Sequence, residues 1–199
     1  MNVKIFHAKT FRNLDDAQIK PCENVNMIYG ENGQGKTNLI EGIWMFTGFK
    51  SFRTKRNSDL IAHGKEFFDI SLDFFSENRD RHFEIKSSNK TQDFLTNNVK
   101  VKSNRSIIGE FLAVVFSPSH LNLIKGGPDE KRKFLDIAIS QIKPSYARNI
   151  SSYYKILKQK NAFLRDFKQQ SFNGELLDVF DEKLSNYGSL IIKERKKYF

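Results

Sequence analysis

The sequence is short of cysteine, of proline and of long apolar runs, and each shortage narrows the reading. A single cysteine, Cys22, rules out an intramolecular disulfide and fits a reducing cytoplasm. A reactive thiol needs a base or metal beside it, and none stands near Cys22 in the sequence, so a structural cysteine is expected. No window approaches the roughly 18 apolar residues of a transmembrane helix. Met1–Leu14 has neither a long apolar run nor a small-residue cleavage site, so no signal peptide is expected there. The histidines His7, His63, His82 and His120 are scattered without metal-ligand spacing and read as structural or surface residues. No Ser/His/Asp or Cys/His arrangement, internal repeat or low-complexity tract is apparent. Acid is scarce too: 23 Asp and Glu stand against 33 Lys and Arg, a net charge of +10. That balance suits a polyanionic partner, nucleic acid ahead of an anionic membrane surface.

What is present supports a folded chain. The 199 residues are 39% hydrophobic and include 19 Phe, enough to fill a core of one domain or one and a half. Up to about residue 118 short strand-like runs dominate; beyond it the periodicity is helical. This predicts an α/β lobe over residues 1–118 and a helical lobe over 119–199. Val3–Lys9 and Ala17–Lys20 read as strands around a polar corner at Asn13–Asp16, and Val25–Tyr29 as a short buried strand ending at Gly30. Lys36–Phe46 has helical spacing, with Leu39, Ile43 and Phe46 on one face and Gly48 as its stop. Lys50–Asn57 is a basic loop, and Ser58 is expected to cap a short helix through Ala62. Phe67–Ser76, Arg81–Lys86, Thr91–Thr96 and Val99–Lys102 read as antiparallel strands, with turns at Asn78–Asp80 and Asn97-Asn98. Ala113–Phe116 reads as one more apolar strand. Two of the four prolines, Pro128 and Pro144, stand where helices begin. The second of these helices is expected to reach Gln170, break at Asn173-Gly174, and be followed by a helix over Glu175–Phe199. Leu177, Phe180, Leu184, Tyr187 and Ile191 face Ile150, Tyr153, Leu157, Leu164 and Phe167 in a helical hairpin, whether projecting as an arm or packed as core.

One segment carries chemistry. Gly30-Glu31-Asn32-Gly33-Gln34-Gly35-Lys36-Thr37 matches G-x-x-x-x-G-K-[ST] at every fixed position, a P-loop. Glycines let the backbone wind tightly, so that several N–H groups converge on phosphate oxygens. Lys36 adds a point charge toward the β- and γ-phosphates, Thr37 offers its hydroxyl to Mg²⁺, and the following helix directs its dipole at the same anion. A chance match in a chain of this length is on the order of one in a hundred. The expected ligand is a nucleoside triphosphate, ATP with Mg²⁺. Arg12-Asn13 ends the first strand and is read either as a second phosphate contact or as a surface corner. Arg53, Lys55 and Arg56 are read either as a grip on a nucleic-acid backbone or as a solvated basic loop.

Phe11-Arg12-Asn13-Leu14 and Tyr29–Thr37 continuing as Asn38-Leu39-Ile40-Glu41 resemble the heads of ABC-type ATPases of DNA maintenance, the SMC and RecF group. Lys50-Ser51-Phe52-Arg53-Thr54 with Asp59-Leu60-Ile61, Val115-Phe116-Ser117-Pro118, Leu121–Pro128, Arg132–Asp136 and Tyr154–Asn161 narrow the resemblance to the recombination mediators of that group. The resemblance implies an ABC-type head: a mixed-sheet α/β lobe I with the P-loop and a helical lobe II. It implies ATP binding, an ATP-dependent homodimer, binding of single-stranded or gapped duplex DNA, and action with RecO and RecR to load recombinase at gaps in DNA repair, replication and the SOS response. It also places Arg12 and Asn13 near the nucleotide. Where that family carries an acidic pair after Phe-Ser-Pro, this chain has Ser119-His120. The signature and Walker B segments that complete such a head are expected further downstream, because Asp181-Glu182 sits in a helical pattern rather than at a strand end. The chain is therefore expected to be an N-terminal half that binds ATP without turning it over, the full-length protein being a weak ATPase. The alternative from another class is a small P-loop kinase acting on a metabolite.

Overall fold

The structure is a computed structural model that describes residues 1–48, 50–54, 56–89, 91–102, 104–118, 125–166 and 174–198. It contains two compact units, Met1–Ile107 and Ile108–Phe199.

The first unit is built on a six-stranded antiparallel sheet. Its strands are β1 (Asn2–Phe11), β2 (Leu14–Ile19), β3 (Phe67–Ser76), β4 (Arg79–Ser88), β5 (Gln92–Thr96) and β6 (Val99–Lys100), in the order β2-β1-β3-β4-β5-β6. Alternation decides which face is buried. Phe68, Ile70, Leu72 and Phe74 of β3 are fully buried and pack with Phe6 and Ala8 of β1 and Phe83 and Ile85 of β4. Each large side chain buried this way contributes about 1.5–3 kcal/mol. Helix α1 (Lys36–Met45) lies on this face: a Cβ on Gly42 would stand 2.6 Å from the Phe6 ring, so the absence of a side chain there sets how closely helix and sheet approach. Phe46 ends α1, and Gly48 adopts φ 82° after it.

Several boundaries differ from the sequence reading, each for a local reason. The first corner is tighter: β1 runs through Phe11 and β2 starts at Leu14, because Arg12 itself takes φ 56°. The β3–β4 turn falls on Glu77 and Asn78, both at positive φ, so β4 starts two residues earlier than expected. Asn97 and Asn98 form the expected turn at φ 48° and 64°. Ser58 lies inside a 3-10 turn, Asn57–Leu60, whose first N–H groups receive no side-chain cap. On α1, Leu39 and Phe46 are buried as expected, but Ile43 is half-buried, and Glu41 and Trp44 join the buried face.

Two expected strands do not form. Val25–Tyr29 has no regular hydrogen bonding, and Val25, Met27 and Tyr29 are each more than 80% exposed. Ala113–Phe116 is likewise irregular, with Val114 95% and Phe116 86% exposed. Apolar content makes a strand only where a neighbour pairs its backbone, and no strand among the described residues pairs with either run.

The second unit is helical. Helix α2 (Pro128–Ile142) starts on Pro128 with Asp129 and Glu130 in its first turn, where they meet the positive end of the dipole. Helix α3 (Pro144–Asp166) and helix α4 (Gly174–Arg195) run antiparallel: Lys143 pairs with Glu194 at 2.7 Å near one end, and the Phe163 and Phe180 rings meet near the other. The expected break at Asn173 and the position of Phe167 lie outside the described residues. Tyr146 is fully buried with Ile139 and Ile191, and its hydroxyl donates to Asp136 at 2.6 Å. Burial and the adjacent Asp136 carboxylate push the Tyr146 phenol above its usual range, so it remains a donor. Arg195 completes this cluster with a two-pronged contact to Asp136 at 2.8 and 2.9 Å.

Candidate functional site

The P-loop leads into the N-terminus of α1. Gly30, Gly33 and Gly35 have φ of 145°, 86° and 95°, all in the region that side chains avoid. Gly35 is the residue before the helix and its carbonyl accepts from Leu39 N at 2.9 Å, so the loop's left-handed turn and the first helical bond share one residue. A Cβ at Gly30 or Gly33 would meet nothing within 4 Å, so both positions face open space. The Lys36 ammonium donates to the carbonyls of Gly30 and Glu31 at 2.7 and 2.6 Å. Two of its three donors thus hold it over the loop, and the third remains for an anion. Thr37 is exposed at the first turn of α1, where its hydroxyl is open to a ligand. Glu31, Asn32 and Gln34 are exposed loop positions that supply backbone groups.

Of the two residues of the β1–β2 corner, Asn13 comes up against this loop and Arg12 does not. Asn13 Nδ2 donates to Gly33 O at 2.5 Å, and its Oδ1 accepts from Asn38 Nδ2 at 2.7 Å. Asn13 therefore props the loop from outside. Arg12 turns to α1, with Nε and Nη2 on the two oxygens of Glu41 at 3.1 and 2.7 Å and Nη1 on Asp59 O at 2.7 Å.

Arg53 joins the same network. Its Nη1 donates to Asn38 Oδ1 at 2.5 Å and approaches Glu41 Oε2 at 3.3 Å. Ser51 Oγ also donates to Glu41. Glu41 itself has a fully buried carboxylate. Two guanidiniums thus converge on one buried carboxylate, with Asp59 joined to the same network through its carbonyl and through Thr54. Arg56 is exposed in the loop beyond. Lys55, Ser119 and His120 lie outside the described residues. Sequence reasoning did not single out Glu41, Asn38 or Ser51 as site residues. A signal existed for Glu41: an acid between Leu39 and Ile43 on the inward side of an amphipathic helix needs a cationic partner. Among the described residues no group of three or more His, Cys, Asp or Glu could hold a metal, and no helix is long and apolar enough to cross a membrane.

A family described as an AAA domain matches residues 6–198. "DNA replication and repair protein RecF" of Thermoanaerobacter sp. (strain X514) is 38% identical over 100% of this chain and 55% of its own length. The protein of the same description from Clostridium perfringens (strain SM101 / Type A) is 36% identical over 100% of this chain and 54% of its length. The chain thus spans about half the length of the curated relatives it matches. A solved structure described as the recombination mediator protein RecF-ATP in the RecFOR pathway superposes with a TM-score of 0.94 at 36% identity, covering 99% of this chain and 53% of that one. An SMC head domain from Thermotoga maritima superposes at 0.50 with 17% identity over 70% of this chain and 56% of its own, a likeness of fold alone. The expected ABC-type head fold, a mixed α/β lobe followed by helices, is the fold observed.

Proposed function

The chain belongs to the AAA domain family and is similar along its whole length to the N-terminal half of RecF proteins, and from this premise we propose that it binds ATP with Mg²⁺ at Gly30–Thr37 as the nucleotide-binding part of a DNA-binding recombination mediator. The observation that carries the reading is the P-loop itself: three left-handed glycines, an ammonium held over the loop, and a helix N-terminus behind them. The residues fit the ligand. Backbone N–H groups and Lys36 would take the phosphates; Thr37 would hold Mg²⁺, whose remaining positions suit phosphate and water, since Mg²⁺ keeps several waters. Bound Mg²⁺ would neutralise phosphate charge. Arg12 and Asn13 support the loop and its helix, so their contribution to ATP affinity is one of positioning.

As in the matching RecF-ATP structure, ATP is the expected nucleotide. The wider reading follows from the relatives' description as replication and repair proteins and from the RecFOR pathway of the solved structure. It comprises an ATP-dependent homodimer when full length, gapped or single-stranded DNA as substrate, RecO and RecR as partners, and a cytoplasmic location. The lobe division near residue 118 and a role for Arg53, Lys55 and Arg56 toward DNA belong to the same proposal. Hydrolysis needs an acid that completes the metal site and orients water. Binding without turnover is therefore expected of this chain.

Titration calorimetry with Mg·ATP tests the reading. Lys36→Ala should weaken binding at least tenfold, because phosphate charge loses its nearest cation, while the melting temperature in the absence of nucleotide stays the same. Equal affinity in the two proteins would refute the assignment. Phosphate release at the level of Lys36→Ala is expected throughout; robust turnover that Lys36→Ala abolishes would show that a catalytic acid already lies within these residues.

A further inference from the structure

Helix α3 is unusually one-sided in charge. Between Pro144 and Asp166 it carries Arg148, Lys155, Lys158, Lys160 and Arg165, and its only acid is Asp166, its last residue. Lys160 is accounted for by Asp181 of α4. The other four are exposed, and none has an ion-pair partner among the described residues. The neighbouring α4 carries exposed acids at Glu175, Asp178 and Glu182, and none of them pairs with these four cations.

At 3.6 residues per turn Arg148, Lys155, Lys158 and Arg165 fall within an arc of about 100°, and at 1.5 Å per residue they span about 25 Å of helix. Ser151 and the small Ala147 and Ala162 fall in the same arc, and Gln159 borders it. Beside it runs an open groove of about 650 Å³ lined by Tyr154, Leu157, Lys158, Asn161, Leu164 and Arg165. Tyr154 is 56% exposed and stands edge-on to Tyr153 at 5.7 Å, which leaves its ring accessible beside the cations.

From this stripe we infer that α3 is a contact surface for single-stranded nucleic acid, with the four cations following the phosphates and Tyr154 stacking on a base. The inference rests on the DNA-binding reading above and adds to it a location apart from the basic loop. A row of cations with an exposed ring alongside is the arrangement that holds single strands without reading sequence. Neither an acidic protein segment nor duplex DNA needs the exposed ring.

The test is fluorescence anisotropy of a labelled oligo-dT with the chain at several salt concentrations. Binding by the unsubstituted chain should be strongly salt-dependent. Lys155→Gln with Lys158→Gln should lower affinity and reduce the log–log salt slope by about 1.4, since each phosphate contact on a single strand contributes about 0.7. Tyr154→Ala should weaken oligo-dT binding about fivefold or more with the slope unchanged. Lys155 and Lys158 are exposed, so the melting temperature of their double variant should stay as it is; Tyr154→Ala gives up the Tyr153 contact and should lower it slightly, and Mg·ATP affinity should be unchanged in both. Absence of oligo-dT and duplex binding by the unsubstituted chain would remove the DNA-binding reading itself. Normal binding that all three substitutions leave intact would overturn only the role of α3. Displacement by polyglutamate as effective as by oligo-dT at equal charge would also overturn it, in favour of an acidic protein partner.

Discussion

Glu41 takes two hydrogen bonds from the Arg12 guanidinium, at 3.1 and 2.7 Å, from a position in which its own carboxylate is fully buried. The pair ties the end of β1 to the helix that carries the P-loop, and Arg53 and Ser51 close on the same carboxylate from the basic loop. A carboxylate so buried is costly unless it is paired, and here the pairing is what positions three separate segments around one loop.

Glu41→Gln keeps the shape and removes the charge, so Arg12, itself 18% exposed, is left part-buried without its counter-ion. Breaking a buried pair in this way costs about 3 kcal/mol, on the order of 10 °C in Tm for a chain of this size. Thermal denaturation followed by circular dichroism measures it. A change under about 2 °C would mean that the network is replaceable by neutral hydrogen bonds. Mg·ATP affinity should fall in the same variant, because Arg53 loses its hold on α1, and with it the contact it makes to Asn38 beside the loop.

The two inner glycines of the P-loop separate strain from crowding. Gly33 has φ 86° with open space around a would-be Cβ, so Gly33→Ala should show backbone strain alone, about 1–2 kcal/mol. Gly35 has φ 95°, and a Cβ there would lie 2.7 Å from Asn13 Oδ1 and 2.8 Å from Leu14 Cδ2. Gly35→Ala should therefore destabilise more than Gly33→Ala and also loosen the prop that Asn13 gives to Gly33. Side-by-side melting curves decide; equal losses would show that Asn13 and Leu14 yield without cost.

What the sequence made legible was what neighbouring residues decide. The P-loop, α1, the alternation of β3 and the proline-started α2 are all written within a dozen residues, and they stand where pattern placed them. Glu41 was hidden because its partners, Arg12 and Arg53, lie 29 and 12 residues away, and no local period reports a contact across that distance. Val25–Tyr29 misled for the complementary reason. Its apolar residues meet the local requirement for a strand, yet a strand also needs a neighbour, and pairing is a property of the whole sheet. Arg53 reads in sequence as part of a free basic loop; Asn38 and Glu41 hold it against α1 instead, while Arg56 remains exposed.

On the sheet, a carboxylate provides a pH-dependent prediction. Asp69 of β3 lies opposite Lys86 of β4, whose ammonium is 3.9 Å away and is shared with Glu84 at 2.8 Å. Burial first, and the nearby Glu84 charge second, raise the Asp69 carboxyl above its ordinary 3.8, and Lys86 only partly offsets them. Between 3.8 and the raised value the folded chain therefore holds more of the Asp69 proton than the unfolded chain does. Stability from this residue is full below 3.8 and declines as pH rises through the raised value, so at neutral pH the ionised Asp69 is a net liability. Asp69→Asn removes that liability while keeping the side chain's shape. Its Tm should exceed that of the unsubstituted chain at pH 7, and the gap should close as the pH is taken down toward 3.8. Melting curves across that range provide the check. A variant less stable at pH 7, with the deficit shrinking in acid, would show instead that attraction to Lys86 outweighs burial and repulsion from Glu84.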